Sequence, residues 1–282
     1  MQPFLRRLAG SDLAFAHSLS CGTGWNQTRR DWERFLELGP DDCFLAEVEG
    51  SAAGTTTTTI YRKEMAWIGM VLVDPSFRRR GIGTLLLETA LRHLRDRMKI
   101  PCIRLDATPE GRPLYEKLGF VAEWDLQRWA KNEAKPTDFG TPCSKEAERS
   151  ALPPVALVLD HTVFGADRSI LLETLRVSSD GFRLLPDGSF GFRRSGQRAQ
   201  YLGPITVTSP ESGLALAEGL IADCPPESPL LWDLPILNPI ATQLATRLGF
   251  SPVRHLTRMR LGSDGPIQDP SRIFGIAEPA LG

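Results

Sequence analysis

Trp67 to Thr84 reads WIGMVLVDPSFRRRGIGT and runs directly into Leu85, Leu86, Ala90, Leu91 and Leu94. Met70 to Val73 is a continuous apolar, partly β-branched run, as in a strand buried on both faces. Asp74-Pro75 ends it, because proline offers the ladder no donor. The leucines and alanine that follow recur at helical spacing, so a helix begins at Gly81-Ile82-Gly83-Thr84, with Arg78, Arg79 and Arg80 in the intervening turn. A strand, a basic glycine loop and a helix N-terminus together form an anion cradle. Unpaired amides and the positive end of the helix dipole face the loop, arginine adds forked donors, and glycine lets a ligand approach the backbone with no Cβ in the way. The loop lacks the Lys-Ser/Thr of a nucleotide P-loop and the third glycine of a dinucleotide fingerprint.

As a whole the stretch resembles motif A of the GCN5-related N-acetyltransferases. Their Arg/Gln-x-x-Gly-x-Gly/Ala signature is matched by Arg78, Gly81 and Gly83 after a VxVxP strand. The resemblance implies that the loop from Arg79 and Arg80 through Gly81, Ile82, Gly83 and Thr84 holds the pyrophosphate of acetyl-CoA. It also implies that Val71, Leu72 and Val73 hydrogen-bond the pantetheine arm through their backbone.

Upstream, Phe4–Leu8 reads as a strand and Ser11-Asp12 caps a helix over Leu13–Leu19. A glycine-punctuated loop, CGTGWN, then leads to a second helix capped by Asp31. Three strands follow, the second of them the threonine-rich run Gly54–Tyr61, read as a half-exposed strand face. Downstream come a strand at Cys102–Ala107, a polar loop at Thr108–Pro113 and LYEKLGF at 114–120, whose Gly119 stops a helix. This order is similar to that of the same acetyltransferase family, and LYEKLGF resembles its motif B.

Aminolysis of a thioester expels a thiolate that takes a proton or a hydrogen bond as it leaves, and a phenol supplies one. The resemblance places Tyr115 beside the coenzyme sulfur as general acid. The attacking amine also needs a base or a water relay. Glu64, Asp106, Glu110 and Asp125 all lie near expected strand ends; Asp106, on the strand facing the cofactor strand, is carried forward as the candidate, and Thr108, a candidate contact, stands in LDAT where many relatives carry Asn. In the family the paired helices flank the acceptor, which makes Trp25 and Asn26 candidate substrate contacts.

From Lys131 to Pro154 the chain turns polar and breaker-rich. Beyond it LATRLGFSPVRHLTRM at 244–259 echoes LYEKLGFVAEWDLQRW at 114–129, the mark of an internal duplication. The second copy has no Arg-x-x-Gly-x-Gly, carries Ala245 where Tyr115 stood, and is expected not to bind acetyl-CoA. The expectation is an α/β protein of two tandem units of this acetyltransferase type, each a mixed, mostly antiparallel sheet flanked by helices. Residues 1–132 form the catalytic domain, 133–153 a linker and 154–282 a degenerate copy. Asp167 and Arg168 at the start of that copy are candidates for closing over the acceptor.

The chain's 282 residues, 41% hydrophobic and 24% charged, suit a globular protein of two domains. A net charge of −1 gives no pull toward nucleic acid or anionic membrane. The cysteines at 21, 43, 102, 143 and 224 are odd in number without ligand spacing, and the histidines are scattered, so neither a disulfide framework nor a metal site is expected. No apolar run reaches the roughly 18 residues of a membrane span, and a cytoplasmic location is expected. The expected activity is acetyl transfer from acetyl-CoA to a primary amine of a small metabolite or peptide. The rival is an acyl-CoA sensor without turnover, and a homodimer is left open.

Overall fold

The computed structural model describes residues 3–132 and 151–282, so most of the expected linker lies outside the described residues. The first half runs β1 (Phe4–Arg7), α1 (Leu13–Gly22), α2 (Arg29–Leu38), β2 (Phe44–Val48), β3 (Ser51–Tyr61), β4 (Met65–Val73), α3 (Ile82–Arg92), β5 (Cys102–Ala107), α4 (Arg112–Lys117) and β6 (Val121–Lys131). The second runs α5 (Pro154–Phe164), α6 (Ser169–Ser178), β7 (Gly181–Leu184), β8 (Phe190–Arg194), β9 (Gln200–Thr206), α7 (Pro210–Ala222), β10 (Leu230–Pro235), α8 (Pro239–Arg247), β11 (Ser251–Gly262) and β12 (Ile273–Gly275).

The two halves share one sheet, ordered β1-β2-β3-β4-β5-β11-β6-β10-β9-β8-β7, with β12 paired to β9 off this path. The last long strand of each half has crossed to the other: β11 pairs with β5, and β6 pairs with β10. Between them β6 and β11 run antiparallel with Leu126 opposite Leu256, Gln127 opposite His255 and Asp125 opposite Thr257. In the echoed sequence Leu126 and Leu256 are equivalent, so the pairing has a local two-fold centred on them.

Two buried ion pairs obey that two-fold. Arg128 on β6 faces Asp233 on β10, with Nε and Nη2 donating to the two carboxylate oxygens at 2.8 and 2.6 Å. Its counterpart Arg258 on β11 faces Asp106 on β5 at 2.8 and 2.9 Å. Arg258 is also sandwiched between Trp67 and Trp124, 4.5 and 4.2 Å from the ring centroids.

One apolar core joins Trp32 and Phe35 of α2, Trp67 of β4, Phe164 of α5 and Leu171 and Leu172 of α6, continuing across both halves on one face of the sheet. Apolar residues of α3 pack on Ile68, Ile103 and Leu105 on the opposite face, and α7 and α8 do so in the second half. Thr55 through Thr59 are buried rather than half-exposed. The hydroxyls of Thr55 and Thr58 donate to the carbonyls of Met70 and Asp42, at 3.0 and 2.7 Å, which lets polar β-formers lie between helix layers. Among the described residues no helix is long and apolar enough to cross a membrane, and no group of three or more His, Cys, Asp or Glu is placed to hold a metal.

Candidate active site

β4 and β5 pair in parallel only at Met65, Ala66 and Trp67, against Cys102, Ile103 and Arg104. Beyond Trp67 the ladder stops, and Ile68–Val73 on one side and Leu105 and Asp106 on the other border a cavity of about 470 Å³. A bulge helps to open it: Thr55 pairs with Leu72 and Thr57 with Gly69, so Met70 and Val71 together oppose Thr56, with Met70 at φ +49°. Val71, Leu72, Val73 and Arg78 line the cavity.

Past Val73 the chain turns through Arg78–Arg80, and α3 begins at Ile82 with Gly81 in the left-handed region at φ +76°. Gly81 is a glycine because the backbone demands it. Gly83 is different. A Cβ built there meets nothing closer than Val73 Cγ2, at 3.7 Å, so the fold itself does not require glycine at that position. Arg78 Nε donates to the Val73 carbonyl at 3.1 Å, and Arg79 and Arg80 are exposed, so cationic groups and helix-start amides surround an open approach. Ile82 packs inward on Leu86 and Val48, which leaves only its amide for a ligand; the side chain of Thr84 is half-buried. These residues fit the diphosphate end of an acyl-CoA.

Tyr115, on α4, lines the same cavity, its ring edge-on to Phe120 at 6.0 Å. Burial pushes its pKa up to about 12, so the phenol stays protonated through the neutral range. Thr108 also lines the cavity, its hydroxyl accepting from the Gly111 amide at 3.1 Å.

Two expected contacts are not placed to act. The Asp106 side chain is 0% exposed and both its oxygens are engaged by Arg258, so only its backbone reaches the cavity and it is not available as a base. The carboxylate at the rim is Glu110. The Asn26 amide is committed to the loop before β9: its oxygen accepts from the Arg198 and Ala199 amides at 2.9 and 3.0 Å, and its nitrogen donates to the Ala199 carbonyl at 3.0 Å. It therefore positions its neighbours, and the cavity is lined by Trp25 and Gln27 on either side of it.

The second half contributes Arg254 and Leu256 of β11 and, from the segment after β12, Pro279 and Ala280. That segment lies along β4. The Trp67 indole donates to the Pro279 carbonyl at 3.0 Å and the Tyr61 hydroxyl to the Leu281 carbonyl at 2.6 Å. Asp167 and Arg168, candidates for closing over the acceptor, are engaged elsewhere: Asp167 with Arg62, and Arg168 with Asp160 and the main-chain oxygen of Gly282. Nothing in the local sequence marks Gln27 or Arg254. They are brought to the cavity by the Asn26 clamp and by the strand exchange.

In the second half β9 and β10 also pair in parallel and then part, but β12 pairs with β9 in the gap and the Trp232 indole donates to the Phe274 carbonyl at 2.6 Å. The space open between β4 and β5 is filled there.

Two acetyltransferase family profiles match this chain: "Acetyltransferase (GNAT) family" over residues 13–120 and "Acetyltransferase (GNAT) domain" over residues 156–275. The chain belongs to the GNAT acetyltransferases as a tandem member, and is therefore an acyltransferase drawing on an acyl-CoA. Among relatives, it is 25% identical over 268 residues to a holothin acyltransferase of Pseudoalteromonas sp., covering 92% of this chain and 87% of that one. It is 26% identical to the uncharacterized N-acetyltransferase YitH of Bacillus subtilis, covering 76% of each. A crystal structure of a putative acetyltransferase from Pyrococcus horikoshii superposes with a TM-score of 0.83 at 26% identity, covering 99% of this chain and 96% of that one.

Proposed function

We propose that the protein transfers an acetyl group from acetyl-CoA directly to a primary amine of a small molecule or peptide, within residues 1–132 and under a roof supplied by residues 154–282. The observation that carries this reading is one cavity lined by Arg78, at the near edge of the glycine loop, by the bulged β4 from Ile68 to Val73, and by Tyr115. Acetyl-CoA supplies a thioester; the chain's residues bind it, aim it and manage protons. Amides at the start of α3 and the arginine triplet take the diphosphate, and the β4 backbone orients the pantetheine arm. Val71, in the bulge, offers its amide toward the thioester oxygen.

The C–N bond forms as the C–S bond breaks. Of the two protons that an ammonium acceptor loses, one ends on the departing sulfur, with Tyr115 as the hydrogen-bond donor there, and one leaves through the rim beside Glu110. None of the described cysteines lines the cavity, which favours direct transfer over a covalent enzyme intermediate. Thiol release from acetyl-CoA in the presence of pooled amines tests the reading: at least one pool should give thiol above background, and silence from every pool would count against it.

A further inference from the structure

Arg254 is a half-buried guanidinium on the cavity wall with no carboxylate within ion-pair reach among the described residues. Its guanidinium carbon lies over the Trp25 ring, 5.7 Å from the centroid. Burial first, and then the charge of Arg128, displace its pKa downward against the smaller opposing pull of the more distant Asp233 and Glu110 carboxylates. The contrast with the rest of this strand region is informative. Arg258 and Arg128, buried in the same sheet, each hold a carboxylate with two hydrogen bonds. Fully buried cations are ordinarily paired in this way; Arg254, half-buried, lines the cavity with no ion-pair partner among the described residues.

A second, independent observation concerns the same cavity. Gln27 is 8% exposed and lines the same cavity, and its Oε1 is buried without any hydrogen-bond donor. An orphaned buried acceptor is costly unless something brings it an N–H. One cavity residue thus lacks a paired anion and another lacks a donor. A molecule carrying a carboxylate and an ammonium group satisfies both.

Resting on the acetyltransferase reading, we propose that the acceptor is an amino-carboxylic acid whose carboxylate docks on Arg254 against Trp25 while Gln27 receives an N–H of the amine. Carboxylate fits better than phosphate. A single fork matches its planar oxygens, and Glu110 at the rim disfavours a dianion. The dense anion cradle of the molecule, at Arg78–Thr84, is already assigned to the acetyl donor. The catalytically degenerate half thereby acquires a task, since Arg254 is delivered to the first half's cavity only by the exchanged β11.

The test compares thiol release from acetyl-CoA with a panel of free amino acids, their neutral carboxamides, and a control set of polyamines and aminoglycosides. The acids should exceed their own amides by roughly tenfold or more in kcat/KM. Arg254→Met should remove that preference through KM with kcat little changed, and Arg254→Lys should restore part of it. Because the guanidinium makes no ion pair, both variants should melt close to the parent. If the amides match the acids, or Arg254→Met leaves the preference intact, the carboxylate assignment is overturned. If only the control amines react, that assignment falls and the acetyltransferase reading stands; if nothing reacts, both fall.

Discussion

Arg258 and Asp106 are register partners on β11 and β5, and their side chains close into a two-pronged ion pair that is sealed from solvent and stacked between two tryptophans. The pair spans the boundary between the halves, and its twin, Arg128 with Asp233, spans it in the opposite sense. Desolvating such charges is expensive, so each is held by its partner, and losing one alone leaves the other stranded.

Asp106→Asn and Asp106→Leu should therefore each destabilise the protein by about 3–5 kcal/mol, and Arg258→Met similarly, while the double change Asp106→Leu with Arg258→Met should cost much less than the sum of its two singles. Urea unfolding of the singles and the double gives the cycle. The activity left in folded Asp106→Asn should keep the acid limb of its pH profile. A vanished limb would restore Asp106 as the base.

Tyr115→Phe should lower kcat by about 10²–10⁴-fold, the usual range for losing a positioned acid, with acetyl-CoA affinity unchanged by calorimetry. Burial holds the phenol's pKa at about 12, above the ordinary value, so its protonated, donating form persists as pH rises through 10. The rate in the parent should hence show no downward step near pH 10. A step there, absent in Tyr115→Phe, would mean that the phenol is not desolvated.

The two loop glycines should part company. Gly81→Ala places a side chain at φ +76° and should cost about 1 kcal/mol of stability. Gly83→Ala puts its Cβ in ordinary contact with Val73 Cγ2, at 3.7 Å, so melting should barely move, yet acetyl-CoA binding should weaken tenfold or more. Equal effects on stability and binding at both positions would argue against a ligand at Gly83.

Gly69→Ala should loosen the roof of the cavity. A Cβ there falls 2.7 Å from the Ala280 Cα, a main-chain atom that cannot swing aside. Protease sensitivity of the segment around 277–282 should rise, together with KM for the acceptor. Unchanged cleavage would show that β4 gives way instead.

The sequence made the first half readable because its signals are local: a strand stopped by Asp-Pro, a glycine at a left-handed position, and a tyrosine within one helix turn of a stop glycine. The threonine run misled for a local reason too, since β-propensity cannot tell a half-exposed strand from one lying between two helix layers. The strand exchange was hidden by the duplication. β6 and β11 carry the same apolar alternation and an arginine at the same place, so either strand satisfies either neighbour, and no pattern reveals which was chosen. Gln27 and Arg254 were silent because their meaning lies in what they lack, a partner, and that is visible only once the surroundings are in place. Asp106 looked catalytic along the chain and proved to face a guanidinium from 152 residues away.

The local two-fold through Leu126 and Leu256 gives this chain the grammar of a symmetric dimer, in which each copy lends a strand and an arginine to the other. Carried on a single polypeptide, that association no longer depends on concentration: one half is always present for the other, at any dilution. Identical subunits would also be bound to keep both sites alike. A fused pair is free to fill one slot with its own β12 and leave the other open.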